Sequence, residues 1–382
     1  MNLKNQNTIN INAKVLLQYQ KNNYYVLKLK TPKGEIFYTT SRDDLNDIRD
    51  RNISVYGALG RCSFMEYLKS CFIISYDIKL KSKLKSNLKD KFINYLDSIH
   101  TPLLASFYKT LFLAYPLDKN IRDFASIFGI SHLFAISGFH LGVLISLLYF
   151  LMLPIYRIFQ NKFFPYRNMF FDLNAIILFF TFNYLIILDF TPSFLRAFIM
   201  FIVGIIMLYN GIKILSFQFL FLCGILAISL FPRALFSIGF FLSICGVFYI
   251  YLFLMHIKKK NNFIYFSLLN VVVFLNMLII SHYFFPTFSL YQFFSPLLSM
   301  LFILFYPLVL ILHFLSLGDA LDPILYFIFS RNYIGIDLAT PTSLFIIYIT
   351  LSLLSIFHRF IYYFIILMSI LFFIYGILKG FI

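Results

Sequence analysis

SHLFAISGFHLGVLISLLYFLML, residues 131–153, runs for 23 positions without a charged side chain. A helix crosses the hydrocarbon core of a bilayer in about 20 apolar residues. The stretch therefore reads as a transmembrane helix. Stretches of the same kind follow near 169–188, 193–209, 213–231, 236–255, 263–285, 288–315, 343–357 and 360–379, so nine spans are expected in an α-helical polytopic membrane domain over 129–382. Residues 318–340 contain Asp319, Asp322, Arg331 and Asp337, and read as a loop with an amphipathic helix.

The charge distribution agrees. Of 32 Lys+Arg and 16 Asp+Glu, residues 1–130 hold 20 and 11, which leaves 12 and 5 for the remaining 252 residues. A water-soluble part precedes a lipid-embedded one.

Residues 1–80 carry strand signals. Ile9–Leu17, Tyr24–Lys30, Ile36–Thr40, Ile53–Leu59 and Phe72–Ile78 are short, β-branched or aromatic, and separated by turn residues such as Pro32-Lys33-Gly34. Ser41 to Leu45 begins like a helix capped by Ser41, with Asp44 three residues on. Three strands, a helix and two strands is the element order of a small OB-like β-barrel. Cys62 and Cys71 fall here and can pair if this domain faces an oxidising compartment. With Cys223 and Cys245 they show no CxxC spacing, so metal binding through sulfur is not expected.

A basic linker with interfacial helices is expected over 81–128. Lys79, Lys81, Lys83 and Lys85 alternate, and Lys89 and Lys91 follow. Against anionic headgroups each contributes about 1 kcal/mol of attraction, and the same strip can dock nucleic-acid phosphate. Residues 87–115 set Phe92, Tyr95, Leu96, Leu103, Leu104 and Phe107 among polar residues, a pattern that suits a helix lying in the interface.

Basic residues in short loops orient the spans. Arg157, Lys162 and Arg167 follow the first span, Lys213 the third, and Lys258, Lys259 and Lys260 the fifth, whereas the intervening loops offer Arg233 alone. The richer side is expected to be cytoplasmic, and residues 1–80 to face outward. No signal peptide or earlier helix is visible to export them, so either the domain crosses as an amino-terminal tail or an upstream segment is missing.

Polar groups inside spans point to function, because a charge at the bilayer centre costs about 2.5–3.5 kcal/mol on insertion scales. On a continuous first helix His132, Ile136 and His140 share a face, with Ser137 and Gly138 beside them. The third span opens with Pro192, Ser193 and Arg196, which sets a permanent cation just inside the bilayer. The fifth carries Gly239, Phe240 and Ser243; the seventh carries Gln292 and Ser295-Pro296, where a missing N–H should kink the helix. Each has a packing alternative: small residues let helices approach, and Arg196 can snorkel. Two His and a Ser-Gly pair in one span are more telling than any residue alone.

His132-Leu-Phe-Ala-Ile-Ser137-Gly138-Phe-His140-Leu-Gly142 resembles the H-L-x-A-I-S-G-x-H-x-G signature of the ComEC competence family. Pro192-Ser193-Phe-Leu-Arg196-Ala197-Phe-Ile-Met200 is similar to the family's P-S-x-x-R-A-x-x-M segment, and Gly239-Phe240-Phe-Leu242-Ser243 to its G-F-x-L-S segment. Phe293-Phe294-Ser295-Pro296-Leu297 is a weaker match to aromatics before a proline, and the small β domain suits the family's OB-like domain. The resemblance covers nearly the whole chain.

It implies an inner-membrane channel that passes single-stranded DNA into the bacterial cytoplasm during natural transformation. His132, Ser137, Gly138, His140, Ser193, Arg196, Ser243 and Gln292 would line the path, and Lys79 to Lys91 would gather strand at its mouth. The partners implied are single-stranded DNA, membrane lipids, a periplasmic DNA-delivery protein and a cytoplasmic helicase or other motor, with a homo-oligomer left open. The motor follows because no G-x-x-x-x-G-K-[ST] loop is present. The chain departs from many members in lacking H-x-H-x-D-H and a metallo-β-lactamase-like domain, and from others in lacking helices ahead of the OB-like domain. Its seven histidines (100, 132, 140, 256, 282, 313 and 358) are scattered, so no catalytic residue, cofactor or metal is expected.

Two other functions compete. An intramembrane hydrolase would use Ser137, but a base must come within about 3 Å of the hydroxyl. On one continuous helix His140 points the same way as Ser137, so His282 or His313 would have to serve. A transporter of lipid-linked or other anionic small molecules would use Arg196 equally well.

Overall fold

The computed structural model describes residues 8–21, 24–32, 35–43, 48, 51–60, 71–81, 88–211, 215–230, 232–258 and 261–381. The chain forms two compact units, Met1–Ile93 and Asn94–Ile382.

The first unit is a closed barrel of β1 (Thr8–Lys21), β2 (Tyr24–Lys30), β3 (Ile36–Ser41), β4 (Asn52–Leu59) and β5 (Cys71–Leu80), in the order β1-β2-β3-β5-β4. β1 pairs with β4 through its first half and with β2 through its second, and a register shift between Val15 and Leu17 lets one strand serve both. Parallel pairing of β3 with β5, Phe37 opposite Cys71, completes the circuit. The alternation read from the sequence supplies the interior: Val15, Leu27, Leu29, Ile53 and Val55 are fully buried. Cys71 is disulfide-bonded; Cys62, and the helix expected from Asp44 onward, lie outside the described residues. Lys79 and Lys81 are exposed at the end of the barrel, with Lys79 3.7 Å from Asp77. Lys83 and Lys85 lie outside the described residues.

α1 (Leu88–Ile99), on which Lys89 and Lys91 sit, and α2 (Pro102–Leu113) are separate helices, divided where Pro102 begins a new first turn. Leu104, Phe107, Tyr108, Thr110 and Phe112 of α2 are all buried in the second unit. Its polar atoms find partners inside, since Thr110 Oγ1 donates to the Ser106 carbonyl at 2.9 Å.

After α3 (Lys119–Ile127) and the single-turn α4 (Ser131–Phe134) come α5 (Gly138–Phe163), α6 (Met169–Ile187), α7 (Pro192–Tyr209), α8 (Phe217–Leu230), α9 (Ile238–His256), α10 (Asn262–Phe284), α11 (Ser295–Phe314), α12 (Asp322–Phe329), α13 (Thr342–Leu354) and α14 (Arg359–Phe381). Among the described residues six helices are long and apolar enough to cross a membrane, beginning at Gly138, Met169, Ile238, Asn262, Leu290 and Arg359. The expected count of nine is not reached, because the apolar helices beginning at Ser193, Phe217 and Thr342 are shorter. The 14 residues of α8 rise only about 21 Å.

Polar groups join the bundle helices at depth. Tyr348 Oη donates toward Asn276 and lies 2.8 Å from Ser369 Oγ, while Tyr249 Oη lies 2.8 Å from Ser352 Oγ. α14 passes Phe288 only because position 376 is glycine; a Cβ there would fall 2.5 Å from the buried ring. Arg167 makes a paired contact with Asp172 at 2.7 and 2.8 Å in the loop from α5 to α6.

Candidate functional site

The expected first span is broken. α4 ends at Phe134, Ala135 is extended, and Ser137 is an extended N-cap from which α5 starts. Ser137 Oγ accepts from the Phe139 N–H at 3.3 Å, and His140 Nδ1 accepts from the Ser137 N–H at 3.4 Å. This is a capping box with histidine in the place usually held by Glu or Gln. The Ser-Gly-Phe-His spacing thus has a structural cause: it starts a helix.

The break separates the two histidines that a continuous helix would have aligned. His132 is exposed, its Nε2 3.5 Å from Ser299 Oγ on α11. His140 is 1% exposed and edge-on to Tyr306, centroids 4.9 Å apart, and to Phe302 at 5.4 Å. Its Nε2 has no hydrogen-bond partner among the described residues. His140 does turn toward Ser137, contrary to the expectation of parallel side chains, with Nδ1 3.5 Å from Oγ. That is too long for a good hydrogen bond. His282 and His313 are engaged elsewhere: His282 Nδ1 lies 2.9 Å from the Leu278 carbonyl and His313 Nε2 lies 3.1 Å from His100 Nε2.

The start of α7 meets the same break. Ser193 Oγ donates to the carbonyl of Ile136, holding the start of α7 against the interrupted backbone. Gly138 lies against Ala197, where a Cβ would stand 3.3 Å from the alanine's own. Ile136 and Leu141 pack with Leu185, Leu188, Phe194 and Phe198, tying α5, α6 and α7 together. The turn into α7 places Asp189 and Phe190 both in the left-handed region, at φ 53° and 57°. Such residues cost about 1 kcal/mol or more each and need surrounding structure to hold them.

Arg196, one turn into α7, reaches α9. Its Nη2 donates to the Gly239 carbonyl at 3.3 Å and the guanidinium lies 5.0 Å from the Phe240 ring centroid. Among the described residues no carboxylate pairs with it. Arg196, Met200, Cys223, Phe240 and Ser243 line a pocket of about 20 Å³ between α7, α8 and α9. That is room for about one water.

Gln292 is buried, its Nε2 donating to the Thr287 carbonyl at 2.9 Å. It packs under Gly129, whose φ of +67° and closeness to Gln292 Cγ leave no room for a side chain. Ser295 Oγ donates to the Gly129 carbonyl at 3.2 Å. The first three motif segments therefore touch in turn, 132–142 on 192–200 and 192–200 on 239–243, while Ser295 of the fourth reaches Gly129, just ahead of the first.

One cluster was not legible. His100, His313 and Asp322 meet beside Tyr108, so two of the histidines taken as scattered are in contact. Their separation of 213 positions leaves no local sequence signal. Among the described residues no group of three or more His, Cys, Asp or Glu is arranged to hold a metal ion.

A family model described as "Competence protein" matches residues 116–381. The match takes in more than half of the 382 residues and all four motif segments. No curated protein and no solved structure matches the chain.

Proposed function

This chain belongs to the competence protein family, and on that premise we propose that it is the channel passing single-stranded DNA across the bacterial inner membrane into the cytoplasm. Membership supports a role in DNA uptake during natural transformation, and its long apolar helices make the chain a membrane protein.

The observation that carries the finer reading is Arg196. Its guanidinium is half-buried and pairs with no carboxylate among the described residues, so it is available to an anion. It is presented by two family motif segments at once, through Gly239 and Phe240. Single-stranded DNA supplies phosphate for the cation and bases for aromatic faces, each base adding roughly 1–3 kcal/mol when stacked. Because the pocket holds about one water, passage requires α7 to separate from α8 and α9, or an assembly of several copies.

The seven basic residues in alternate loops support a cytoplasmic side there, and the disulfide at Cys71 supports an outward, oxidising environment for the barrel. Its exposed Lys79 and Lys81 would then receive strand from a periplasmic delivery protein, and a cytoplasmic helicase or other motor would pull it. On this reading the protein is a conduit rather than an enzyme.

Deletion of the gene, assayed with radiolabelled DNA, tests this directly. Surface-bound label should persist while nuclease-protected single strand inside the cell disappears; unchanged internal label would overturn the proposal. The hydrolase alternative has one observation in its favour, the approach of His140 to Ser137. Ser137→Ala should cost about 1 kcal/mol through the lost cap and leave uptake within a few-fold of normal. If it abolishes uptake at normal protein levels, the hydroxyl does chemistry.

A further inference from the structure

His100 follows the end of α1, His313 sits in the last turn of α11 and Asp322 opens α12. His100 Nδ1 lies 2.8 Å from Asp322 Oδ2, and His100 Nε2 lies 3.1 Å from His313 Nε2. His313 Nδ1 lies 2.8 Å from the Val309 carbonyl oxygen. The imidazoles are only 6% and 8% exposed. Tyr108 covers them, its ring centroid 4.3 Å from that of His100 and 4.7 Å from that of His313, and its hydroxyl donates to Asp322 Oδ1 at 3.3 Å. Gly318 closes another side, since a Cβ there would fall 3.0 Å from the His313 ring.

The hydrogen count is decisive. A carbonyl oxygen only accepts, so His313 Nδ1 carries a hydrogen, and in a neutral ring its Nε2 is a bare lone pair. If His100 donates from Nδ1 to an ionised Asp322, a neutral His100 also presents a bare Nε2. Two lone pairs would then face each other at 3.1 Å with no water to separate them, which is a repulsion and not a hydrogen bond. One additional proton resolves the conflict wherever it resides: on His100 Nε2, on His313 Nε2, or on Asp322 donating to His100 Nδ1. In each arrangement the three groups carry zero net charge, as burial favours. Among the described residues no Lys or Arg pairs with Asp322, so the shared proton is its counter-charge.

We infer that His100, His313 and Asp322 form a proton-binding latch that, when filled, fastens the α1–α2 joint to the end of α11 and the start of α12. Among the described residues the other titratable groups facing it are Tyr108, Tyr95, whose hydroxyl donates to the His313 carbonyl at 3.2 Å, and Asp319, which interacts with Tyr108. The sign follows from the inventory. The latch is closed while the proton is bound and opens as pH rises, because its loss exposes both lone pairs and an uncompensated carboxylate. The site lies apart from the Arg196 pocket and does not depend on the channel reading.

The test uses the full chain in lipid nanodiscs with ¹⁵N-labelled histidine. In the proton-bound state one coupled pair of imidazoles should show a proton shared between two Nε2 atoms, and His313→Gln should remove that signature. Raising pH should abolish it, and over the same interval the distance between nitroxides at Ser98→Cys and Leu317→Cys should lengthen, measured with Cys223→Ser and Cys245→Ser. Asp322→Asn should move both transitions toward lower pH. The inference is overturned if the wild-type pair shows no shared proton at any pH, if Asp322→Asn titrates like the wild type, or if a metal ion held at one per chain proves to bridge the rings.

Discussion

Arg196→Ala should cut delivery of DNA to the cytoplasm by roughly 10- to 100-fold while leaving DNA bound at the cell surface. The guanidinium donates to the Gly239 carbonyl, lies against Phe240 and has no acidic partner among the described residues. Its removal therefore strands no buried carboxylate, and the bundle should still assemble. What is lost is a charged hydrogen-bonding group for phosphate, about 1.5–3 kcal/mol per contact, or roughly 10- to 100-fold. Every nucleotide of a passing strand meets the same cation, so passage of the whole strand should slow by that factor. Arg196→Lys should recover part of the activity: it restores charge but not the planar group that lies against the ring and presents a fork of donors. The measurement is nuclease-protected label inside the cell, with immunoblotting of membranes to confirm protein level. Normal uptake by Arg196→Ala would remove Arg196 from the path.

Gly138→Leu should be equally damaging for a steric reason. At this position a bare Cβ would already stand 3.3 Å from the Ala197 Cβ, so alanine needs a shift of a few tenths of an ångström. Leucine carries three more carbons into the contact, and overpacking of this kind costs typically 1–3 kcal/mol. The displaced element is the start of α7, which Ser193 fastens to Ile136 and from which Arg196 reaches α9. A tilt there moves the cation off Phe240. Gly138→Ala should keep most uptake and Gly138→Leu should lose at least about tenfold, both at normal membrane levels. Equal uptake by the two would show that the α5–α7 contact does not position the site.

The barrel was legible because its strands alternate: Tyr24–Lys30 is reproduced residue for residue, and Asn52–Leu59 differs by one residue from the expected Ile53–Leu59. A two-residue period with one face buried admits little ambiguity. Hydropathy located the long helices equally well but did not register the break at Ala135–Ser137, since those residues are as apolar as a span requires. The signal present was the Ser137-to-His140 spacing, a capping box with an unusual third-position residue. Burial of Tyr108 and Thr110 in α2 was not legible, because each polar atom finds its partner only once the helix is packed or formed. The motif residues were found one by one, but their convergence depends on contacts such as Ser193 to Ile136, 57 positions apart. Pairing of that kind is set by packing and leaves no local pattern.

Passage of DNA through the Arg196 pocket can be read by photocrosslinking during uptake. Ser243 is exposed and lines that pocket, while Phe314 is 90% exposed at the end of α11. Chains carrying Ser243→p-benzoylphenylalanine or Phe314→p-benzoylphenylalanine would be irradiated in cells taking up radiolabelled DNA. The account predicts a labelled covalent adduct from position 243 and none from 314, with the former lost on adding Arg196→Ala. Unimpaired uptake by the Ser243 variant without any adduct at 243 would contradict it.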